Sequence, residues 1–117
     1  MPRPVVLVVE DEAIIRFGLV DALEDAGFEL LEASNADEAI AILETRNDIR
    51  IVLTDIEMPG SMNGLKLAAA IRGRWPPIEL ILLSGAVTPK ELPERAVFFP
   101  KPFRMANLIG AVRSFLP

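Results

Sequence analysis

The sequence predicts an α/β protein built as a doubly wound, five-stranded parallel sheet. Five short apolar runs alternate with amphipathic helical stretches along the whole chain. The first run, Val5-Val6-Leu7-Val8-Val9, has no polar alternation, which is the pattern of a strand buried on both faces. Acidic, hydroxyl or basic residues follow four of the five runs, and in a parallel sheet those positions share one edge.

The elements follow in order. After Glu12, residues Ile15, Leu19, Ala22, Leu23 and Ala26 fall on one helical face, with Arg16, Asp21, Glu24 and Asp25 elsewhere, and Gly27 stops the helix. Phe28 to Ala33 is the second strand. Asn35 followed by Glu38 is a helix-start signal ahead of Ala36, Ala39, Ile40 and Leu43. Ile49 to Thr54 is the third strand, ending at Asp55. Met58-Pro59-Gly60-Ser61-Met62-Asn63-Gly64 is loop chemistry before a helix from Leu65 to about Arg72, which Gly73 and Trp75-Pro76-Pro77 end. Ile78 to Leu83 is the fourth strand and Ala96 to Phe99 the fifth. Thr88-Pro89-Lys90-Glu91 resembles a capping box, but Pro93 leaves room for little more than one turn, so a short helix or an irregular crossover is expected there. Met105, Leu108, Ile109, Val112 and Leu116 form the apolar face of a last helix.

Composition bounds the chemistry. The 117 residues contain no Cys, His or Tyr. A chain of this size buries roughly 60 to 70% of its unfolded surface without a disulfide or metal staple, so one domain over residues 1–117 is expected. Thiol nucleophiles, imidazole bases, His-containing triads and zinc–cysteine sites are excluded. Seventeen acidic against twelve basic residues give a formal charge of -5, which argues against direct nucleic-acid binding. Val5 to Val9 is too short for a signal-peptide core or membrane span, and a cytoplasmic protein with no membrane partner is expected.

The shared edge gathers Glu10 and Asp11 after the first strand, Asp55 after the third, Ser84 after the fourth and Lys101 after the fifth. Each alone also fits a plain role: Glu10-Asp11-Glu12 a solvated helix start, Asp55 and Ser84-Gly85 turn residues, Lys101 a solvent-facing lysine. That account needs four coincidences on one edge of one sheet. Carboxylates about 4 Å apart repel by roughly 4 kcal/mol per pair at an effective dielectric near 20, so a cation is expected among them. Oxygen ligands favour a hard divalent ion, Mg²⁺ above all, and Lys101 supplies a second positive charge for an anion such as a phosphoryl group.

Val8-Val9-Glu10-Asp11-Glu12, Leu53-Thr54-Asp55 with Met58-Pro59 and Gly64, Leu83-Ser84-Gly85, and Phe98-Phe99-Pro100-Lys101-Pro102-Phe103, in this order, resemble the response-regulator receiver domain of two-component signal transduction along the whole chain. The resemblance implies a flavodoxin-like (βα)5 fold with strand order 2-1-3-4-5. It implies Asp55 as phosphoacceptor, with Glu10, Asp11, Asp55 and the main-chain carbonyl of Glu57 holding Mg²⁺. It further implies that Ser84 and Lys101 contact the phosphoryl oxygens, that Ser84 and Phe98 report the switch, and that the Lys101–Pro102 peptide is cis. The implied donor is a histidine kinase or a histidine phosphotransfer protein, on another chain or a segment outside this one. The output goes to an unidentified downstream protein, with homodimerisation open. The chain is then a phosphorylation-activated switch, not an enzyme beyond catalysing its own phosphorylation and slow dephosphorylation. The competing readings are a Mg²⁺-dependent aspartyl-phosphate phosphohydrolase and a receiver-like interaction module that is never phosphorylated.

Three features depart from the family's usual pattern. Glu10 stands where Asp is commoner, the 58–64 loop is one residue longer, and the Ser84-to-Lys101 interval is short at the expense of the fourth helix, which predicts a modified output face. Glu57, two residues past Asp55, is expected to lie near the water that hydrolyses the phosphate.

Overall fold

The computed structural model describes residues 4–115. In chain order the elements are β1 (Val5–Val9), α1 (Ala13–Asp25), β2 (Glu29–Ala33), α2 (Ala36–Thr45), β3 (Ile49–Asp55), α3 (Gly64–Arg74), β4 (Glu79–Ser84), β5 (Val97–Pro100) and α4 (Met105–Ser114). All strands pair in parallel in the order β2-β1-β3-β4-β5. The architecture is the one expected from the sequence, with element ends displaced by one or two residues. Leu116 lies outside the described residues.

Alternation of side chains along each strand splits the core into two layers. Val6 and Val8 of β1, Ile51 and Leu53 of β3, and Ile81 and Leu83 of β4 pack against Leu19 and Leu23 of α1 and Leu108 and Val112 of α4. Leu7 and Val9, Val52, and Leu80 and Leu82 point the other way, onto Ala39 and Leu43 of α2 and Leu67, Ala68 and Ile71 of α3. A central strand buried on both sides must be apolar at every position, which is why β1 reads as an unbroken run; each such side chain contributes roughly 1.5–3 kcal/mol of burial.

Asn35 caps α2 by accepting from the Glu38 backbone N–H (2.9 Å), and the Glu38 carboxylate returns to the Ser34 N–H (2.8 Å), closing the anticipated capping box. Asn63 caps α3 in the same way, through the Lys66 N–H (3.0 Å). Gly27 ends α1 with φ +103°, a conformation that costs glycine nothing.

One expectation is corrected. Ile15 is not on the buried face of α1: it is 38% exposed, and Leu19, Val20 and Leu23 are the buried residues. The first turns of α1 start at the sheet's C-terminal edge, where Ile14 and Ile15 line an open groove shared with Pro102, Phe103 and Met105. Between β4 and β5 the irregular crossover, one of the two alternatives expected there, is what forms: residues 85–96 contain no helix, and among the described residues four helices accompany the five strands. Arg72 braces this crossover, donating from Nε to the Glu94 carbonyl (2.8 Å) and from Nη1 to the Pro76 and Ile78 carbonyls (2.7 Å each). One crossover carbonyl, that of Glu94, is thus met by a guanidinium that also ties down the α3–β4 connection through Pro76 and Ile78.

Candidate functional site

Every strand ends at the same edge, and β1, β3, β4 and β5 deliver their terminal residues there. The loops are tied together by backbone: the Ile56 N–H donates to the Leu83 carbonyl and the Lys101 N–H to the Ser84 carbonyl (2.8 Å each). Glu10, Asp55 and Ser84 are buried at 1%, 7% and 2% exposure, which for polar side chains marks a built site. Carboxylate oxygens of Glu10, Asp11 and Asp55 all lie within 4.8 Å of one another. The structure therefore brings the Glu10, Asp11 and Asp55 carboxylates together at this edge, while the Ser84 hydroxyl is engaged by Glu57 and by the Ala86 and Val87 N–H groups.

Lys101 leans into this cluster. Its Nζ is 3.1 Å from Asp55 Oδ1, an ion pair lacking hydrogen-bond alignment, and 3.7 Å from Glu10 Oε1. The ammonium is aligned with neither carboxylate, and Glu10 Oε1 and Asp55 Oδ1 both remain without a hydrogen-bond donor. Two orphaned, inward-facing anionic oxygens beside a third carboxylate fit a hard divalent cation held by oxygen ligands. The Lys101–Pro102 peptide is cis, as expected.

Burial pushes the Glu10 carboxyl up to about 7, a hydrogen bond from the Glu12 N–H (3.0 Å) opposing it and Asp11 and Asp55 adding to it. Asp55 is also raised, mainly by burial and further by Glu57 and Asp11, against the attraction of Lys101. Lys101 is raised as well: burial lowers it, but Asp55, Glu10 and Glu57 together outweigh that. A carboxyl raised from 4.5 to about 7 on folding binds its proton more tightly in the native state, so its contribution to stability is full below 4.5 and is lost as pH rises through 7. The metal-free protein is therefore expected to unfold at a higher temperature near about pH 5 than near about pH 8, by up to about 3 kcal/mol from Glu10. Thermal melts across that range check it, and Glu10→Gln should flatten the dependence.

Three further neighbours shape the site, of which only Arg16 carried no functional expectation from the sequence. Arg16, left off the apolar face of α1, donates from Nη1 to the Glu10 carbonyl (2.8 Å) and from Nε to Glu32 Oε1 (3.0 Å), bracing the end of β1 against β2. Its only sequence signal is an arginine one turn into the helix behind an acidic strand end. Gly64 sits under the Asp55 main chain, where an added Cβ would collide with the Asp55 carbonyl oxygen and lie 2.8 Å from the Ile56 Cα. Glu57 is the third: its carboxylate accepts from the Ser84 hydroxyl (2.6 Å). Phe98 is half-buried in β5 against the α2–α3 layer, while Phe99 turns to the other face and meets Phe103 edge-on at 5.9 Å.

The model of the response regulator receiver domain matches residues 6–113. The chain belongs to this family. The receiver is 37% identical over 95% of its length to the sensor kinase CckA of Brucella abortus, of which it spans only 12%. It is 30% identical to the response regulator receiver protein CpdR of the same organism, with 95% of each chain covered. Among solved structures, it resembles the response regulator TrrA of Thermotoga maritima in complex with Mg²⁺-BeF, with a TM-score of 0.87, 32% identity and coverage of 97% of this chain and 99% of that one. Receivers are signalling switches of two-component systems, and the acidic pocket described above suits that class. No helix among the described residues is long and apolar enough to cross a membrane.

Proposed function

We propose that this receiver, taken as one domain over residues 1–117, accepts a phosphoryl group on Asp55 from a phosphohistidine of a histidine kinase or histidine phosphotransfer protein in the cytoplasm. The observation carrying this reading is the pair of buried, donor-less oxygens on Glu10 and Asp55 facing the Lys101 ammonium. Glu10, Asp11, Asp55 and the main-chain carbonyl of Glu57 are the groups that would hold Mg²⁺. When bound, that ion neutralises carboxylate repulsion and draws charge from the phosphoryl oxygens.

The chain's own groups do the rest. An Asp55 carboxylate oxygen forms the new bond to phosphorus as the phosphorus–nitrogen bond of the donor breaks, and the imidazole leaves with the electron pair and takes a proton from solvent. Lys101 meets the charge on the equatorial oxygens, and its cost is already met by the ion pair to Asp55. Ser84 donates its hydroxyl to a phosphoryl oxygen once the group is in place, and Phe98, on the neighbouring strand, follows that movement. The output is a changed surface around the ends of β4 and β5, read by a downstream protein.

Incubation with acetyl phosphate and Mg²⁺ tests the reading. A mass gain of a single phosphoryl group per chain, dependent on Mg²⁺, is expected. Repeated turnover of small phosphate esters would instead identify a phosphohydrolase, and an unchanged mass a receiver-like module that is not phosphorylated.

A further inference from the structure

Ser84 has one O–H to donate and two lone pairs to accept with, and all three are engaged. The hydroxyl accepts from the Ala86 N–H (3.2 Å) and the Val87 N–H (3.0 Å), and it donates to Glu57 Oε2 at 2.6 Å. That last distance is in the range of a charge-assisted bond, roughly twice as strong as a neutral one. Ser84 is buried, Glu57 is exposed, and the two are 27 residues apart, so the bond is a tertiary tie between the loop after β3 and the crossover after β4.

We infer that Glu57 is a positioning residue that latches Ser84 in the unphosphorylated state by holding the single proton that the phosphoryl group on Asp55 must take. This rests on the function proposed above. An anion arriving at Asp55 cannot receive the Ser84 proton unless the Glu57 bond breaks, so Glu57 sets a free-energy cost on switching. The freed carboxylate, already within electrostatic reach of Asp55, is then repelled by the added negative charge, which keeps the latch open. Glu57 also lines a largely apolar groove together with Ile56, Met58, Pro59, Leu65, Val87 and Pro89. Because residues 85–96 lack a helix, the Ala86 and Val87 N–H groups on Ser84 Oγ pass its movement directly into that groove's far wall.

The test measures binding of beryllofluoride with Mg²⁺ to the full chain at fixed pH by calorimetry, in a cycle of wild type, Glu57→Ala, Ser84→Ala and the double variant. Losing one partly screened, charge-assisted bond should tighten binding about tenfold in Glu57→Ala, with Glu57→Gln intermediate because a neutral acceptor remains. In the Ser84→Ala background the gain should shrink to that of charge repulsion alone. Equal tightening in both backgrounds, or none in either, overturns the latch. In ligand-free protein, the amide resonances of Ala86 and Val87 should move in Glu57→Ala towards their positions in the wild-type beryllofluoride complex, and unmoved amides overturn it as well. Binding that survives Asp55→Asn would instead refute the phosphoacceptor reading, whereas the ligand-free resonances report the latch without it.

Discussion

Asp55→Asn is expected to abolish phosphoryl incorporation while raising the thermal stability of the metal-free protein. The amide presents no anionic oxygen to attack phosphorus, so the single-phosphoryl mass gain should fall by about 100-fold or more. The stability effect has the opposite sign for a separate reason. Asp55 titrates above its ordinary range, chiefly because it is buried and secondarily because Glu57 and Asp11 face it, which means that the fold disfavours its ionised form despite Lys101. At neutral pH the native state holds that charge at a cost, and a neutral isostere removes it. Mass spectrometry and a melting curve on the same sample check both parts. A variant that loses phosphorylation and also loses stability would show that Asp55 is a structural anchor rather than a strained nucleophile. The pattern is that of a functional site whose charges are kept against the interest of the fold.

Gly64→Ala is the second large effect. Gly64 opens α3 with its N–H donating to the Ile56 carbonyl (2.9 Å), and its α-carbon lies against the Asp55 peptide. The obstacle to a methyl group is the backbone of the Asp55–Ile56 peptide, the Asp55 carbonyl and the Ile56 Cα at 2.8 Å, which no side-chain rotamer change can relieve. Either α3 moves away, opening the packing of Leu67, Ala68 and Ile71, or the Asp55 main chain shifts and carries the carboxylate with it. Overpacking of this kind costs typically 1–3 kcal/mol, and with rigid backbone as the partner about 3 kcal/mol is expected. Chemical denaturation gives the loss, and phosphorylation by acetyl phosphate should slow more than it does for an equally destabilising change in α4. Equal rates in the two variants would limit Gly64 to a packing role.

The two central predictions come from different levels of information. The type of each site residue was legible along the chain because a parallel sheet turns a one-dimensional fact, which residue follows each strand, into a spatial one. Glu10, Asp11, Asp55, Ser84 and Lys101 needed nothing more than strand periodicity to be placed on one edge. The layering was legible for the same reason: Val6 and Val8 face one way and Leu7 and Val9 the other because alternation is a property of the strand alone. The capping box at Asn35 and Glu38 is local in the same sense.

Loops carry no such period, and the contacts that set the behaviour of the site are made by loops. Glu57 reads along the chain as a loop residue expected near the hydrolytic water, and only the approach of the crossover after β4 gives its carboxylate a hydroxyl to hold. Pro89 and Pro93 announce that the fourth helix is compromised, but that no turn survives is a tertiary outcome, in which Arg72, reaching across from α3, holds the Glu94 carbonyl of an irregular path. Ile15 fits the apolar face of an isolated α1, yet the sheet ends beneath that turn, so the helix outruns the surface it packs on. Local patterning thus chose the strands, the helices and the chemical groups at their ends, because each depends on neighbours a few residues away. The pairing of Glu57 with Ser84, the fit of Gly64 under Asp55 and the shape of the crossover were decided by the assembled fold, because each depends on distances between segments that meet only when the sheet is complete.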